Sequence, residues 1–363
     1  MITRSFPLFS ICLLFLFSVE SVFSQTKKEY KVISIAFYNV ENLFDTENNP
    51  FTFDDDFTPE GDDAWTDEKY NDKLQKLAGV IAEIGFETTK QAPAILGICE
   101  VENLKVLEDL INEPELKKFN YGIVHYESPD RRGIDVALLY RKDIFRLENS
   151  VSHELLIYNS KEPDKRVYTR DQLVVSGEID GEKMHFIVNH WPSRSGGEAA
   201  SSYKREKAAE LNKIILDSIF KREPLAKVIS MGDFNDDPTN KSIKEVLKTK
   251  AEKDDLNVHQ LYNPMENMSK EGIGTLAYRD GWNLFDQILV SGALTGKDYS
   301  NFQYYKAGIF NKKYLITEDG QYKGYPFRSY GYGVYQGGYS DHFPVYIYLI
   351  KEIAPSSSPA GGG

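Results

Sequence analysis

Short polar clusters stand at the ends of several apolar, β-forming runs of this sequence, and their residue types suit an attack on a phosphate ester. The most informative are SDH at 340–342, GDFN at 232–235 and NVEN at 39–42. Phosphodiester hydrolysis requires a cation to neutralise the non-bridging oxygens, a base for water, donors for the oxyanion and an acid for the leaving oxygen. Carboxylates, amides and imidazoles could supply these needs. A metal-assisted hydrolysis is therefore the first hypothesis.

Glu100 is the carboxylate that best suits a hard divalent cation. It follows the apolar run 94–99, at the end of a predicted buried strand, and Mg²⁺ or Ca²⁺ prefers oxygen ligands. The alternative role, capping the next helix, is better filled by Asn103. Asp233 and Asn235 are two residues apart, which on an extended backbone directs both side chains to one side. An acceptor and a donor would then converge on one point.

Two histidines have polar neighbours at predicted strand ends. Asp286 could orient His342 and stabilise its charged form, as an Asp does for the catalytic His of hydrolases. His190 could protonate the leaving oxygen while Arg194 contacts the phosphate. The remaining histidines, predicted to be ordinary surface or core residues, are His125, His153, His185 and His259.

Apolar periodicity places the polar clusters at strand ends of a chain in which strands and helices alternate. Strands are predicted at 31–38, 94–99, 121–126, 135–141, 172–178, 184–188, 228–231, 284–290 and 344–350, and helices at 67–86, 104–112 and 199–220. This order favours a layered α/β domain with mixed sheets, in which sites form at strand ends. The domain is assigned to 25–352, and the Ser- and Gly-rich tail 353–363 is predicted to be disordered.

Residues 1–24 are predicted to form a cleaved secretory signal. Arg4 gives a basic start and residues 6–19 are almost wholly apolar. An uncleaved anchor is the alternative, but the run is shorter than the ~20 residues of a membrane span and Glu20 ends it. Cleavage would leave Cys99 as the single cysteine, which excludes an internal disulfide. The mature protein is expected to be secreted or periplasmic, with no membrane span.

Charge and aromatic content bear on the partners. A formal charge of -12 argues against a protein that coats nucleic acid through a broad basic face, but not against a nuclease that meets phosphate through a divalent cation. Acidic clusters at 54–56, 60–63 and 254–255 are interpreted as solvated loops rather than calcium sites. The stretch 299–339 is rich in Tyr, Phe, Lys and Gly and leads into Asp341. It is expected to border the site, with its rings packed on one another or stacking on bases.

The ordered set of polar clusters resembles the endonuclease/exonuclease/phosphatase superfamily, the DNase I-like fold. The residues that carry the resemblance are Asn39, Glu41, Glu100, Asn189, His190, Gly232, Asp233, Phe234, Asn235, Asp286, Ser340, Asp341, His342, Phe343, Pro344 and Val345. It extends from about Val32 to Ile350. The resemblance implies a four-layer α/β sandwich, with two mixed β-sheets packed face to face and flanked by helices, and a divalent-metal phosphoesterase site at one end.

The resemblance also implies ligand roles. Glu100 would be the principal metal ligand, with Glu41 and Asp341 close enough to assist. Mg²⁺ is the expected cofactor, with Ca²⁺ or Mn²⁺ as alternatives. Asn39 and Asn235 would hold the phosphate or the attacking water.

Proton transfer is left with two alternatives by the resemblance. Either Asp233, or His342 together with Asp286, would activate the water. His190 groups the chain with members resembling DNase I, sphingomyelinases and inositol-phosphate phosphatases, because the abasic-site repair enzymes lack a histidine there. Asp135 is the candidate to orient His190.

The sequence therefore predicts an exported, divalent-metal-dependent phosphodiesterase, most simply a nuclease with DNA or RNA as substrate and no stable protein partner. A phosphatase or a phospholipid phosphodiesterase on the same fold is the first alternative, because the shared residues handle only the phosphate. A non-catalytic binding scaffold is the second. Such a scaffold would be free to lose members of the polar set, and none is missing.

Overall fold

The computed structural model describes residues 28–254, 256–331 and 333–353. The predicted signal segment 1–24, one residue of the 254–255 acidic pair, Tyr332 and the tail from 354 onward lie outside the described residues. Within the described part of the chain, no helix is both long enough and apolar enough to cross a membrane.

Strands supply most of the regular structure. In chain order they are β1 Glu29–Leu43, β2 Ile95–Val101, β3 Tyr121–His125, β4 Asp135–Arg141, β5 Phe145–His153, β6 Ile157–Tyr158, β7 Arg166–Val167, β8 Gln172–Ile179, β9 Glu182–His190, β10 Lys227–Asp233, β11 Leu261–Tyr262, β12 Leu276–Tyr278, β13 Gly281–Asn283, β14 Asp286–Ser291, β15 Gln303–Ile309, β16 Tyr330–Gly331, β17 Val334–Tyr335 and β18 Val345–Ile353.

Helices connect the strands. They are α1 Asp67–Glu83, α2 Phe86–Thr89, α3 Leu104–Asn112, α4 Pro114–Lys117, α5 Glu198–Arg222 and α6 Met265–Lys270, with short 3-10 turns at Asp55–Phe57, Gly292–Leu294 and Lys313–Leu315 and a π-helical turn at Ser242–Val246. The side chain of Asn103 accepts a hydrogen bond from Val106 N at the start of α3, so its predicted capping role is confirmed.

Two six-stranded mixed sheets form the centre of the protein. One has the order β15-β18-β1-β2-β4-β3 and the other β11-β14-β10-β9-β8-β5. Their facing sides share one buried apolar cluster that includes Phe37 and Ile347 from the first sheet and Phe186 and Met231 from the second. At Gly97 an added Cβ would lie 2.9 Å from Met231 Sδ, so glycine permits a close approach of the two sheets there.

Helices cover the outer faces. Leu77 and Ile81 of α1 and Leu107 of α3 pack in one cluster with the outer residues of β1 and β2, and Leu216 and Ile219 of α5 pack against β9 and β14. These apolar faces recur at helical spacing, as the sequence predicted. The four-layer α/β sandwich of the DNase I-like fold is confirmed.

Strand register brings the polar clusters to one edge of both sheets. Asp233 at the end of β10 pairs with His190 of β9 on one side and with Asp286 of β14 on the other. In the first sheet, Asn39 pairs with Cys99, which precedes Glu100. We call this edge, where the strand ends of the two sheets meet, the polar edge.

Candidate active site

Asn39 joins the two sheets at the polar edge. Its Nδ2 donates to Glu100 Oε1 at 3.2 Å and to Asp233 Oδ2 at 3.1 Å, while its Oδ1 accepts from Glu41 N at 3.0 Å. Both ends of the amide are therefore used by the protein. Asn39 aligns two carboxylates, which differs from the phosphate- or water-holding role predicted for it.

The backbone at the polar edge is unusual at four non-glycine residues. Glu41, Asn42, Glu100 and Asn235 have φ values of 50°, 54°, 61° and 50°, a left-handed conformation that costs free energy for such residues. Local hydrogen bonds hold it, since Asn42 N donates to Glu100 Oε2 at 3.0 Å and the pairing of β1 with β2 shifts register beyond Asn39. The strained turns direct the carboxylates of Glu41 and Glu100 to the polar edge.

His342 and Asp286 form a buried pair. His342 Nδ1 lies 2.6 Å from Asp286 Oδ2, and Ser340 fixes the turn by donating to Asn39 O at 2.7 Å and accepting from His342 N at 3.1 Å. Burial opposes a charge on the ring, but the Asp286 carboxylate outweighs it, with smaller contributions from Asp341 and Asp233, and raises the pKa of His342 well above its usual value. The ring is therefore an imidazolium at neutral pH.

Asp233 lies at the centre of the polar edge. Its Oδ2 is 4.0 Å from His342 Nε2, and its Oδ1 accepts from Asn235 N at 2.8 Å. Burial raises the pKa of Asp233 to about 7, since the charge of His342 only partly offsets desolvation and the charges of Asp286 and Glu100 add to it. A carboxylate with a pKa near 7 is suited to accept a proton from water at neutral pH.

His190 is buried beside the same carboxylates. Its Nε2 lies 3.8 Å from Glu100 Oε1 and from Asp233 Oδ2. Burial, together with the positive charges of Arg170, Arg132 and His342, lowers the pKa of His190 well below its usual value. This disfavours the charged form of the ring, which is the form that the predicted role of leaving-group acid would use.

Asp135 does not orient His190, which corrects the sequence prediction. Asp135 Oδ2 lies 3.0 Å from His125 Nε2 across the β3–β4 hairpin, and its Oδ1 accepts from Ser128 N. Among the described residues, Nδ1 of His190 has no hydrogen-bond partner. His125, predicted to be an ordinary surface or core residue, has a buried side chain whose carboxylate partner is Asp135.

Two polar side chains near these strands have partners within the protein. Ser176 Oγ and Glu223 Oε2 lie 2.7 and 3.1 Å from Nδ1 and Nε2 of His185. Asp236, the residue after Asn235, has its Oδ1 2.7 Å from Nε of the buried Arg205.

The side chains of Arg194 and Asn235 both donate hydrogen bonds to other groups of the protein. The Arg194 guanidinium lies over the Phe285 ring and donates to Asn235 O, and its remaining partners are Glu198, Asp236, Asp237 and Asn240. Asn235 Nδ2 donates to Trp191 O at 3.0 Å. Arg194 therefore uses most of its N–H groups within the protein and Asn235 Nδ2 uses one of its two. The phosphate contact predicted for Arg194 and the phosphate- or water-holding role predicted for Asn235 stay predictions.

The three carboxylates predicted to bind metal have different environments. Glu41 Oε1 accepts from Arg328 Nε at 3.1 Å and its Oε2 from Ser329 N at 2.6 Å, while Arg328 Nη2 donates to Asp341 Oδ2 at 3.2 Å. Glu100 accepts only from neutral amides among the described residues, those of Asn39 and Asn42. The oxygen donors of Glu100 and its neighbours fit a hard divalent ion such as Mg²⁺.

Sequence reasoning missed the basic residues of the polar edge. Arg328 lies in the aromatic stretch, and Lys73 is the fully buried partner of Ser329 on the inner face of α1. Burial raises the pKa of Glu41 to about 7 and lowers that of Lys73 to about 8, each partly offset by the other's charge. The sequence signal for Lys73 was a lysine on the apolar stripe of an amphipathic helix.

Comparison with known proteins gives the family. Residues 34–351 match the model of the Endonuclease/Exonuclease/phosphatase family, and no curated protein matches the sequence. Among solved structures, a humanized D. rerio TDP2 is 15% identical, with 88% of this chain and 99% of that chain covered and a TM-score of 0.53.

Two structures from Bacteroides thetaiotaomicron are also similar. An endonuclease/exonuclease/phosphatase family protein is 19% identical, covering 92% of this chain and 100% of that chain with a TM-score of 0.50. A mannosyl-6-phosphatase is 19% identical, covering 87% and 99% with a TM-score of 0.50. At these identities the likeness shows the fold. With the family match over 34–351, the chain belongs to the endonuclease/exonuclease/phosphatase family and is a metal-dependent phosphoester hydrolase.

Proposed function

We propose that this hydrolase is an exported, Mg²⁺-dependent nuclease that cleaves phosphodiester bonds of DNA or RNA. The observation that carries the proposal is the presence of exposed aromatic rings beside arginines on both flanks of the polar edge. Bases stack on aromatic side chains irrespective of sequence, and arginines contact the phosphates between them. Export rests on the apolar N-terminal segment of the sequence.

The first flank is the β12–β13 hairpin, which is attached directly to the His342–Asp286 pair. Thr275 precedes the hairpin, and its carbonyl accepts from Phe343 N at 2.8 Å. Trp282 stacks on the Phe343 ring at 15° with centroids 6.1 Å apart, and it is 41% exposed. At the tip, Arg279 lies over the exposed Tyr278 ring.

The second flank is the loop before β4. Arg132 Nε lies 3.5 Å from Asp130 Oδ1. Asp130 pairs with Arg170, which donates to the carbonyl oxygen of Trp191, the residue after His190. Arg131 lies over the half-exposed Tyr168 ring, and its carbonyl accepts from Phe53 N. The ring of Phe53 is exposed. A net negative protein thus presents arginines and rings at the polar edge.

In this proposal four side chains of the polar edge carry out the hydrolysis. A divalent ion held by Glu100 would neutralise charge on the non-bridging oxygens. Asp233 accepts the proton of the attacking water, because His342 is already protonated. The His342 imidazolium donates a hydrogen bond to the phosphate and gives its proton to the leaving oxygen as the P–O bond breaks, while Asp286 holds the ring in place.

A substrate panel tests the proposal. Full-length protein is assayed on supercoiled plasmid, single-stranded DNA, RNA, sphingomyelin, a phosphoinositide and mannose 6-phosphate, with Mg²⁺ or with chelator. We expect cleavage of nucleic acid that chelator abolishes. Hydrolysis confined to the lipid, inositol or sugar phosphate would reject the nuclease. Expression in a secreting bacterial host, followed by N-terminal sequencing, tests export, which an unprocessed Met1 terminus would contradict.

A further inference from the structure

Arg328 stands where a second metal ion would be expected. Its Nε lies 3.1 Å from Glu41 Oε1 and its Nη2 lies 3.2 Å from Asp341 Oδ2. These are two of the three carboxylates that family resemblance assigns to a metal. Charge-assisted hydrogen bonds of this kind are about twice as strong as neutral ones. A divalent ion could use both carboxylates only after displacing the guanidinium.

The position of Arg328 is fixed by its surroundings. On one side of it, Phe327 N donates to Leu315 O at 2.7 Å, and Tyr339 N donates back to Phe327 O at 2.6 Å. On the other side, Ser329 N donates to Glu41 Oε2 at 2.6 Å, and Lys73 donates to the Ser329 hydroxyl from the interior. The backbone that carries Arg328 is therefore held from both directions.

Gly338 allows the return strand to pass close to Arg328. A Cβ at this position would lie 2.2 Å from the carbonyl oxygen of Arg328 and 2.3 Å from that of Phe327. Both are backbone atoms, which cannot move aside without shifting the segment. Packing of Gly338 thus fixes the backbone from which the Arg328 side chain reaches Glu41 and Asp341.

The charges divide the polar edge into two halves. The half formed by Glu41 and Asp341 has Arg328 in direct contact with both carboxylates, and Lys73 is linked to Glu41 through Ser329. Glu100 has only amide donors among the described residues, and His190 Nε2 is beyond hydrogen-bond distance at 3.8 Å. Unbalanced negative charge is therefore concentrated at Glu100, which favours cation binding there.

We infer that Arg328 is a built-in cation that replaces a second divalent ion. The enzyme binds one ion, at Glu100, and the positive charges of Arg328 and Lys73 balance the two carboxylates of Glu41 and Asp341. The Arg328 side chain is 47% exposed, so the guanidinium also presents positive charge to a phosphate held beside the ion. This inference concerns the metal-dependent hydrolysis shared by the family, and it holds whether the substrate is a nucleic acid or a smaller phosphoester.

Metal stoichiometry tests the inference without relying on activity. Metal-free full-length protein is titrated with Mn²⁺ by isothermal titration calorimetry, with electron paramagnetic resonance to count free ions. We expect the wild type to bind one ion and Arg328→Gln to bind two, the second with a Kd on the order of 10⁻⁴ to 10⁻³ M. Arg328→Lys, which keeps the charge, should bind one. Two ions in the wild type, or one in Arg328→Gln, would overturn the inference.

A matched control and a second variant complete the test. Arg146 also bridges two carboxylates, Glu178 at 2.6 Å and Glu148 at 3.1 Å, on the exposed face of the other sheet. Arg146→Gln should still bind one ion, and a second ion there would show that the gain in Arg328→Gln is unspecific. Glu41→Gln, made in the wild type, should retain its ion. Loss of that ion would place Glu41 among the ligands and reject the inference even if Arg328→Gln does not fold.

Discussion

Replacement of Asp286 by asparagine tests the proton-handling half of the polar edge. The variant keeps the size of the side chain but removes the charge next to His342. The two groups are 2.6 Å apart, with side chains only 7% and 1% exposed, and loss of one partner of such a buried charged pair costs about 3–5 kcal/mol. If that stabilisation is needed in the transition state, turnover falls by about 10²- to 10⁴-fold at 1.36 kcal/mol per tenfold.

The sign of the pH dependence follows from the raised pKa of His342. In the wild type the ring stays protonated above pH 6.5. In Asp286→Asn burial dominates, so the ring loses its proton as the pH rises and the deficit in turnover should grow. The contribution of the His342–Asp286 pair to the free energy of unfolding changes with pH in the opposite sense. This contribution is complete below pH 6.5 and is lost as the pH rises through the folded-state pKa of His342. The difference in free energy of unfolding between the wild type and Asp286→Asn should therefore become smaller as the pH rises.

Both quantities are measurable on the same preparation. Hydrolysis of bis(p-nitrophenyl) phosphate is followed with saturating Mg²⁺ from about pH 5.5 to about pH 8.5, and urea unfolding is measured at the same values. The control is Glu223→Gln, which removes the carboxylate beside His185 and should leave turnover unchanged. A ratio of wild-type to Asp286→Asn turnover that is constant with pH, or close to one at about pH 8, would refute the assigned role of the pair.

Two further predictions concern substrate binding and the packing of the Arg328 segment. Trp282→Ala should raise KM for single-stranded DNA by about 5- to 150-fold, the equivalent of one lost base stack. The control, Tyr305→Ala at an exposed position of β15, should leave KM unchanged. Equal KM values for the two variants would contradict the stacking role of Trp282. Gly338→Ala should reduce the free energy of unfolding by about 1–3 kcal/mol because its Cβ meets backbone oxygens. Gly79→Ala, where a Cβ meets open space on α1, should increase the free energy of unfolding by up to about 1 kcal/mol. If urea unfolding showed Gly338→Ala to be more stable than Gly79→Ala, the packing argument would be contradicted.

Local patterns explain why much of the fold was predictable. Alternating or continuous apolar residues are a local signal, so the strands that end at Asn39, Glu100, His190 and Asp233 were located from the sequence. Strands β5 and β15 were not. The sequence of β5 is mostly polar, and all of its side chains except Phe145 are exposed or half-buried, as is usual at the edge of a sheet. Strand β15 lies in the stretch that was interpreted only by its aromatic content.

The site was less predictable where its contacts are distant in sequence. Arg328 is separated from Glu41 by 287 residues, and no periodicity or turn signal links the two. The partners of Arg194 and Asn235 within the protein were not predictable for a related reason, because the sequence shows that a donor is present but not which other part of the chain it contacts. Register between strands, which is a property of the assembled sheet, decided which carboxylate paired with which histidine.

Side-chain hydrogen bonds link the two sheets to each other at the polar edge. Asn39 of the first sheet bonds Asp233 of the second, and His342, just before β18, bonds Asp286. A change in the shared core, for example at Met231, whose sulfur packs against Gly97 of the other sheet, should displace one half of the site relative to the other. Small displacements of one sheet relative to the other should therefore lower turnover even when the protein stays folded, so that activity reports on the relative position of the two sheets.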